Sequence, residues 1–294
     1  VQAGNLGALV NDVALLHATG MRVVLVHGFL ASPAELRALG EKLEALGFTV
    51  IGVRLSGHGT SPWDLRGRSW EDWLGSVRRG YEIMSGLADR IFLAGFSTGG
   101  ALALRFAAER PGKLIGVGAA AVPVKFRNRN IVFVPILHGV NKLTRWVSSL
   151  EGLMPFRPND SENPEVNYRY MPIRGLFELR RLVDELTKRL PDVACPVRLI
   201  QGTEDRIVDA RSAEIILDKL GCEDKRLHMI PSQRHGILAE DTGGAQELLL
   251  PQAIIIQIER AADIPMASAM SMTLMVVVTI AYFAFAKYLR MERL

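Results

Sequence analysis

The sequence predicts an α/β fold, with a mostly parallel central sheet and helices on both of its faces. Three observations carry that expectation. Short, nearly continuous apolar runs such as Ile91 to Ala94 and Leu114 to Val122 alternate along the chain with amphipathic stretches. Strands read that way when they are buried on both sides, as they are where helices cover a parallel sheet. The 294 residues, 49% of them apolar, suffice for one large domain with a sizeable core plus a small appendage. Finally, Gly95-Phe96-Ser97-Thr98-Gly99 joins an apolar run to an alanine- and leucine-rich helical pattern. That strand–turn–helix layout is the one that lifts a serine above the edge of such a sheet.

Taken in order, Val1 to Gly20 is an amino-terminal extension lacking the basic start and apolar core of a signal peptide. The chain opens on Val1 and not Met, as a piece of a longer protein would. Met21 to Val26 reads as a buried strand running into a His27-Gly28-Phe29 turn. Ser32-Pro33-Ala34-Glu35 has the pattern of an N-cap serine, a proline at the first helical position and a glutamate placed for a capping box, and Gly47 ends that helix. Thr49 to Val53 is the next strand, followed by a polar loop through Gly57-His58-Gly59. An amphipathic helix then runs from Trp70 to Leu87 with Ser69 as its cap.

After the strand from Leu114 the rhythm breaks. Pro123 to Pro191 holds an apolar stretch, a proline- and asparagine-rich passage and a helix-like run near Gly175 to Leu190, without a clean βαβ unit. It reads as a cap inserted over the carboxyl edge of the sheet, with a surface excursion carrying its own small core as the alternative. Large apolar residues crowd Ile131 to Phe156, which places Ile136 and Leu137 as expected walls of an acyl pocket. The alternation resumes with a strand from Val197 to Gln201, a helix from Ala210 to Leu220, a strand from Lys225 to Ile230 and a last amphipathic helix ending near Arg260.

These boundaries give a main domain at 21–262, with the cap at about 123–191, and a carboxy-terminal segment at 263–294. Ile264 to Ala286 holds no charged residue and at about 1.5 Å per residue is long enough to cross about 30 Å of hydrocarbon. It is expected to span a membrane, with a buried core helix as the alternative. Lys287, Arg290 and Arg293 follow it. They favour a cytoplasmic tail and an exported domain, whereas a tail-anchored protein would keep the domain in the cytoplasm.

A serine nucleophile needs a base to take its proton and an acid to orient that base. Both follow in the chain. Asp205, in Gly202-Thr203-Glu204-Asp205-Arg206-Ile207-Val208, stands just past a strand, at the edge where sites of open α/β sheets collect. His235, in Ser232-Gln233-Arg234-His235-Gly236, also follows a strand. Ser97 would attack an acyl carbonyl, His235 would carry the proton and Asp205 would hold the imidazole. Among rivals for these roles, Asp209 reads better as the cap of the helix from Ala210, and Glu204 as a solvent-facing residue. His27 is expected to brace the adjacent loop by a hydrogen bond and His58 to sit in a tight turn beside the site. His228 lies in a strand pattern, and His17 and His138 carry no signal.

With these residues in place the chain resembles the α/β-hydrolase superfamily, and within it the bacterial monoacylglycerol lipase and carboxylesterase group. The resemblance spans about Met21 to Arg260. It rests on His27-Gly28-Phe29, Gly57-His58-Gly59, Gly95 to Gly99, the Gly202 to Val208 string and His235-Gly236, in that order. It implies hydrolysis of small esters or monoacylglycerols without a cofactor, and an oxyanion hole formed by the backbone amides of Phe29 and Thr98. The carboxy-terminal apolar segment departs from that group, whose soluble members do not carry it. An acyltransferase or a thioesterase would use the same triad, while a catalytically dead interaction module would usually lack one of its members.

Composition bears on other classes. The formal net charge is +4, but basic residues are scattered and form no stripe interleaved with aromatics, so nucleic acid is not an expected partner. The two cysteines, Cys195 and Cys222, have no metal-ligand spacing and neither demand nor exclude a disulfide. The expected partner is a small ester or a lipid, with no metal.

Overall fold

The computed structural model describes residues 20–128, 133–147, 155–238 and 245–246, all within the unit Val1–Ile254. Six strands form the sheet: β1 (Arg22–Val26), β2 (Thr49–Val53), β3 (Ile91–Phe96), β4 (Leu114–Ala120), and, beyond the cap, β7 (Val197–Gly202) and β8 (Lys225–Ile230). Their order is β2-β1-β3-β4-β7-β8 and every pairing is parallel. The central strands β3, β4 and β7 are buried almost without interruption, as continuous apolar runs require.

Side-chain alternation along the strands divides the core between the two faces. Helix α1 (Arg37–Ala45) lies on the Leu25 side, where a Cβ at Gly40 would meet Leu25 at 3.5 Å. The opposite face carries α3 (Trp70–Ser85), whose Gly80 lets the helix settle against Val53 and Val24. Ser69 caps α3 through a reciprocal box with Asp72, and Trp73, Val77 and Met84 form the buried stripe. Between them in sequence is the short α2 (Pro62–Arg66). Helix α4 (Thr98–Ala107) starts one residue after β3 and is buried along nearly its whole length; α7 (Arg211–Lys219) joins β7 to β8.

One expected cap is not formed. Ser32 makes no side-chain capping bond, Pro33–Leu36 is a single 3-10 turn ahead of α1, and Glu35 turns inward. Gly47, at φ +87°, closes α1 as expected.

The segment between β4 and β7 contains α5 (Val134–Val147), an antiparallel pair β5 (Phe156–Pro158) and β6 (Tyr170–Pro172), and α6 (Ile173–Arg189). Helix α6 sends Leu179, Leu182 and Leu186 into the main core. Its Gly175 is where α6 meets the ring of Phe29, 3.0 Å from where a Cβ would stand. Ile136 on α5 is 64% exposed, so it faces outward.

Among the described residues no helix is long and apolar enough to cross a membrane. Ile264 to Ala286, the helix expected to end near Arg260, and His17 lie outside the described residues.

Candidate active site

Ser97 occupies the turn between β3 and α4 at φ +52° and ψ −118°, a left-handed backbone conformation that costs a residue with a Cβ about 1–3 kcal/mol. Packing enforces it. A Cβ on Gly95 would collide with the Gly99 carbonyl and one on Gly99 with the Val26 carbonyl, so α4 can reach the sheet only with glycine at both places. The Ser97 N–H is held by the Ala120 carbonyl at 2.7 Å. The result is a side chain presented at the carboxyl edge of the sheet, ahead of the unfilled N–H groups of a helix start.

His235 reaches this serine from the segment that follows β8. Its Nε2 lies 3.0 Å from Ser97 Oγ and its Nδ1 lies 2.8 Å from Asp205 Oδ2. Asp205 is wholly buried in the loop after β7. Its Oδ1 accepts the Ile207 and Val208 N–H groups at 2.8 and 2.9 Å, and Gln201 Nε2 approaches Oδ2 at 3.3 Å. With donors on every side the carboxyl group acts as an acceptor only, which places the imidazole proton on Nδ1 and leaves Nε2 free to take one from Ser97.

The other wall of the site is the loop after β1. His27 Nδ1 sits 2.9 Å from the Gly28 carbonyl, and its Nε2 accepts the Leu55 N–H at 3.3 Å. The second bond fixes Nδ1 as the donor. In a trans peptide the Phe29 N–H points opposite to the Gly28 carbonyl, hence away from His27. Burial pulls the His27 pKa down to about 4, so this brace stays neutral across the physiological range. His58 is likewise wholly buried, with Nδ1 at 3.2 Å from the Ser56 carbonyl and its ring against Phe29 and Trp73. It supports the Phe29 ring and does not line the cavity.

Phe29 and Thr98, the expected oxyanion donors, border the same cavity as Ser97 and His235. That cavity holds about 390 Å³. Its lining combines apolar side chains, among them Phe126, Val134, Met171, Leu176 and Leu179, with polar ones, Asn159, Asp160, Glu162, Asn163 and Asn167. From α5 it takes Val134, whereas Ile136 and Leu137, expected as walls, take no part. For Ile136 the reason is helical periodicity: Val134 is directed inward, and two residues on, Ile136 points to the opposite side of the helix; Leu137 is half-buried outside the cavity lining.

Of the rival residues, Asp209 accepts the Arg211 N–H at 3.1 Å and pairs with its guanidinium, which holds the Asp209 carboxyl down at about 2. Glu204 is exposed and accepts from Gln233. His138 stacks on Phe177, and burial lowers the pKa of His228 within β8. None of these touches the Ser97–His235 relay.

Two groups at the site escaped the sequence reading. Glu162, on the cap, accepts the backbone N–H groups of His235 at 3.0 Å and Gly236 at 3.1 Å, tying the cap to the histidine loop. Glu35 accepts the Gly28 N–H at 2.7 Å. Its spacing from Ser32 is what a capping box would also show, and Glu162 bears no sequence mark at all. Among the described residues no three His, Cys, Asp or Glu side chains gather as a metal ion would need.

Strand order, elbow and the chain order of serine, aspartate and histidine put the molecule in the α/β-hydrolase class. Its family follows from comparison with known sequences: the Hydrolase_4 model, described as serine aminopeptidase, matches residues 18–242, and the chain belongs to that family. A thermostable monoacylglycerol lipase of Bacillus sp. (strain H-257) is 30% identical over 216 residues, covering 72% of this chain and 82% of its own. A carboxylesterase of Bacillus subtilis (strain 168) is 26% identical, covering 73% and 84%. Among solved structures, a metagenome-derived lipolytic enzyme from the work on LipS and LipT superposes with a TM-score of 0.69 at 23% identity, over 81% of this chain and 94% of that one. The chain is thus an enzyme of the carboxylic ester hydrolase class.

Proposed function

We propose that this enzyme cleaves monoacylglycerols or other short-to-medium acyl esters through a Ser97–His235–Asp205 triad and an acyl-enzyme. The observation that carries this reading is the unbroken relay from Ser97 Oγ through both nitrogens of His235 to a buried carboxylate, on a cavity lined by both apolar and polar side chains. The names of the Bacillus relatives favour the same substrates.

In the reaction, Ser97 Oγ adds to the ester carbonyl carbon as His235 Nε2 takes the hydroxyl proton. The Phe29 and Thr98 amides hold the oxyanion, and Asp205 stabilises the imidazolium. His235 then returns the proton to the departing alcohol oxygen as the carbon–oxygen bond breaks. Water repeats the sequence on the acyl-enzyme and releases the acid. The apolar lining residues suit an acyl chain, and the polar ones suit an alcohol. Ile264 to Ala286 would hold the enzyme at a membrane, where such substrates partition.

The test is a panel of monoacylglycerols and simple esters of graded chain length, with aminoacyl amides and an added acceptor alcohol as further arms. The expected result is ester hydrolysis with a medium-chain preference, abolished in Ser97→Ala. Loss of His235 should be about as severe, and the double variant hardly worse, because members of one catalytic unit are strongly non-additive. Cleavage confined to amides, transfer to the acceptor in place of hydrolysis, or full activity in Ser97→Ala would each overturn the reading.

A further inference from the structure

Glu35 is a buried carboxyl group that the relay does not use. It sits in the 3-10 turn Pro33–Leu36, and its Oε2 accepts the Gly28 N–H at 2.7 Å. The cavity it borders also takes in Ser97, His235 and, from the cap, Asn167, whose side chain favours the charged form of Glu35.

The loop it grips needs holding. Leu30 has φ +68°, a conformation that residues with a Cβ rarely adopt, and the Phe29 amide lies between Leu30 and Gly28. Hydrogen bonds hold this stretch. His27 and the Ala31 N–H, the latter at 3.4 Å, engage the Gly28 carbonyl, the Tyr168 N–H donates to the Leu30 carbonyl at 3.0 Å, and Glu35 takes the Gly28 amide. Among these partners Glu35 is the acid, so its grip strengthens when it loses a proton.

We propose that Glu35 is a positioning residue of the oxyanion loop: as a carboxylate it fixes the Gly28 amide and so aims the Phe29 N–H, and its protonation slackens the hole, giving an acid limb distinct from that of His235. The inference rests on the ester-hydrolase reading above.

Burial pushes the Glu35 carboxyl up to about 7, while the Gly28 N–H, then His235, then Asn167 pull it the other way. The charged and titratable groups that share the cavity with it are His235, Arg206, and, from the cap, Arg157, Asp160 and Glu162. His27, behind the loop, stays neutral in this range. A neutral carboxyl accepts more weakly than a carboxylate and adds a hydroxyl hydrogen that needs a partner of its own.

The experiment is a profile of kcat and kcat/KM from about pH 5 to about pH 9 on a short activated ester, for the full chain and for E35Q, E35A and S97A. E35A is expected to lose roughly ten- to a hundredfold in kcat, less than removal of an oxyanion donor outright, with KM nearly unchanged. E35Q offers the Gly28 N–H a neutral oxygen in place of a carboxylate, so above the acid limb its kcat should fall below wild type, by less than in E35A, toward the level of the Glu35-protonated enzyme. Its acid limb should fall with the slope of one proton, where the wild type approaches that of two. Affinity for a trifluoromethyl ketone, which becomes an oxyanion when Ser97 adds to it, should drop in E35A by the factor lost in kcat/KM. An E35Q profile superimposed on wild type, or an E35A protein with lowered Tm and unchanged kcat, overturns the proposal. Should E35A not fold, the E35Q profile decides. Activity surviving in S97A would instead overturn the triad, which keeps the two failures apart.

Discussion

Asp205 is occupied on both of its oxygens, and that determines what an amide would do in its place. In Asp205→Asn one edge must present an NH₂ group. Turned toward Ile207 and Val208 it would face two backbone donors; turned toward His235 it would face the Nδ1–H and drive the ring into the wrong tautomer. The second arrangement keeps the loop's backbone bonds, so the variant should fold normally and lose on the order of 10⁴ in kcat. Circular dichroism with steady-state kinetics checks both halves, and a loss under about tenfold would remove Asp205 from the triad. At this scale the placement of the candidate residues was readable where it is set locally. Ser97, Asp205 and His235 each stand just beyond a strand, and a strand's end is visible in sequence. Glu35 was legible as a residue but misread in role, because Ser-x-x-Glu fits a capping box and equally a carboxylate turned back to the preceding loop. Glu162 could not be read, since its partner amides lie more than seventy residues away and nothing local marks the pairing.

Elements with regular periodicity were legible nearly to the residue. The expected helix from Trp70 runs to Ser85 with the anticipated Ser69 cap, and strands Thr49–Val53 and Lys225–Ile230 have the expected bounds. The cap was legible only as an interruption. Its apolar stretch says that something is buried, but the phase of α5 relative to the cavity depends on how α5 meets α6, which the stretch itself does not encode. The consequence is testable. Leu176 borders the cavity and Ile136 points outward. Leu176→Ala removes methylene contacts worth about 0.8 kcal/mol each, so medium-chain esters should lose roughly five- to thirtyfold in kcat/KM relative to acetyl esters. Ile136→Asp should leave that ratio unchanged. A shifted ratio in Ile136→Asp with none in Leu176→Ala would reverse the orientation of the cap.

For the whole molecule, the proposed anchor makes a separate prediction. The 294-residue chain should stay with membranes through a carbonate wash, whereas Val277→Arg should weaken insertion by about 2.5 to 3.5 kcal/mol on insertion scales; extraction of the unsubstituted chain by carbonate would rule the anchor out. The pH dependence of folding follows from three buried groups near the active site. His27 and His58 have pKa values lowered by burial to about 4 and about 3, from a usual 6.5. The unfolded chain therefore binds protons that the fold refuses, and stability falls as pH drops below 6.5 toward those values. Glu35 acts in the opposite sense. Its carboxyl is raised from 4.5 to about 7, so the fold binds a proton that the unfolded chain has already released, and stability declines as pH rises through that window. Two protons outweigh one between 4.5 and 6.5, and below 4.5 the histidines act unopposed. A full proton difference changes stability by about 1.4 kcal/mol per pH unit. Thermal melts should accordingly show a Tm that peaks near about pH 7 and collapses below about 4.5. His58 Nε2 has no hydrogen-bond partner among the described residues, and its ring packs on Phe29 and Trp73, so His58→Phe can keep the packing while removing one of the two protons. It should flatten the acid side by about one proton's slope; an unchanged acid slope would mean that His58 is not held neutral by the fold.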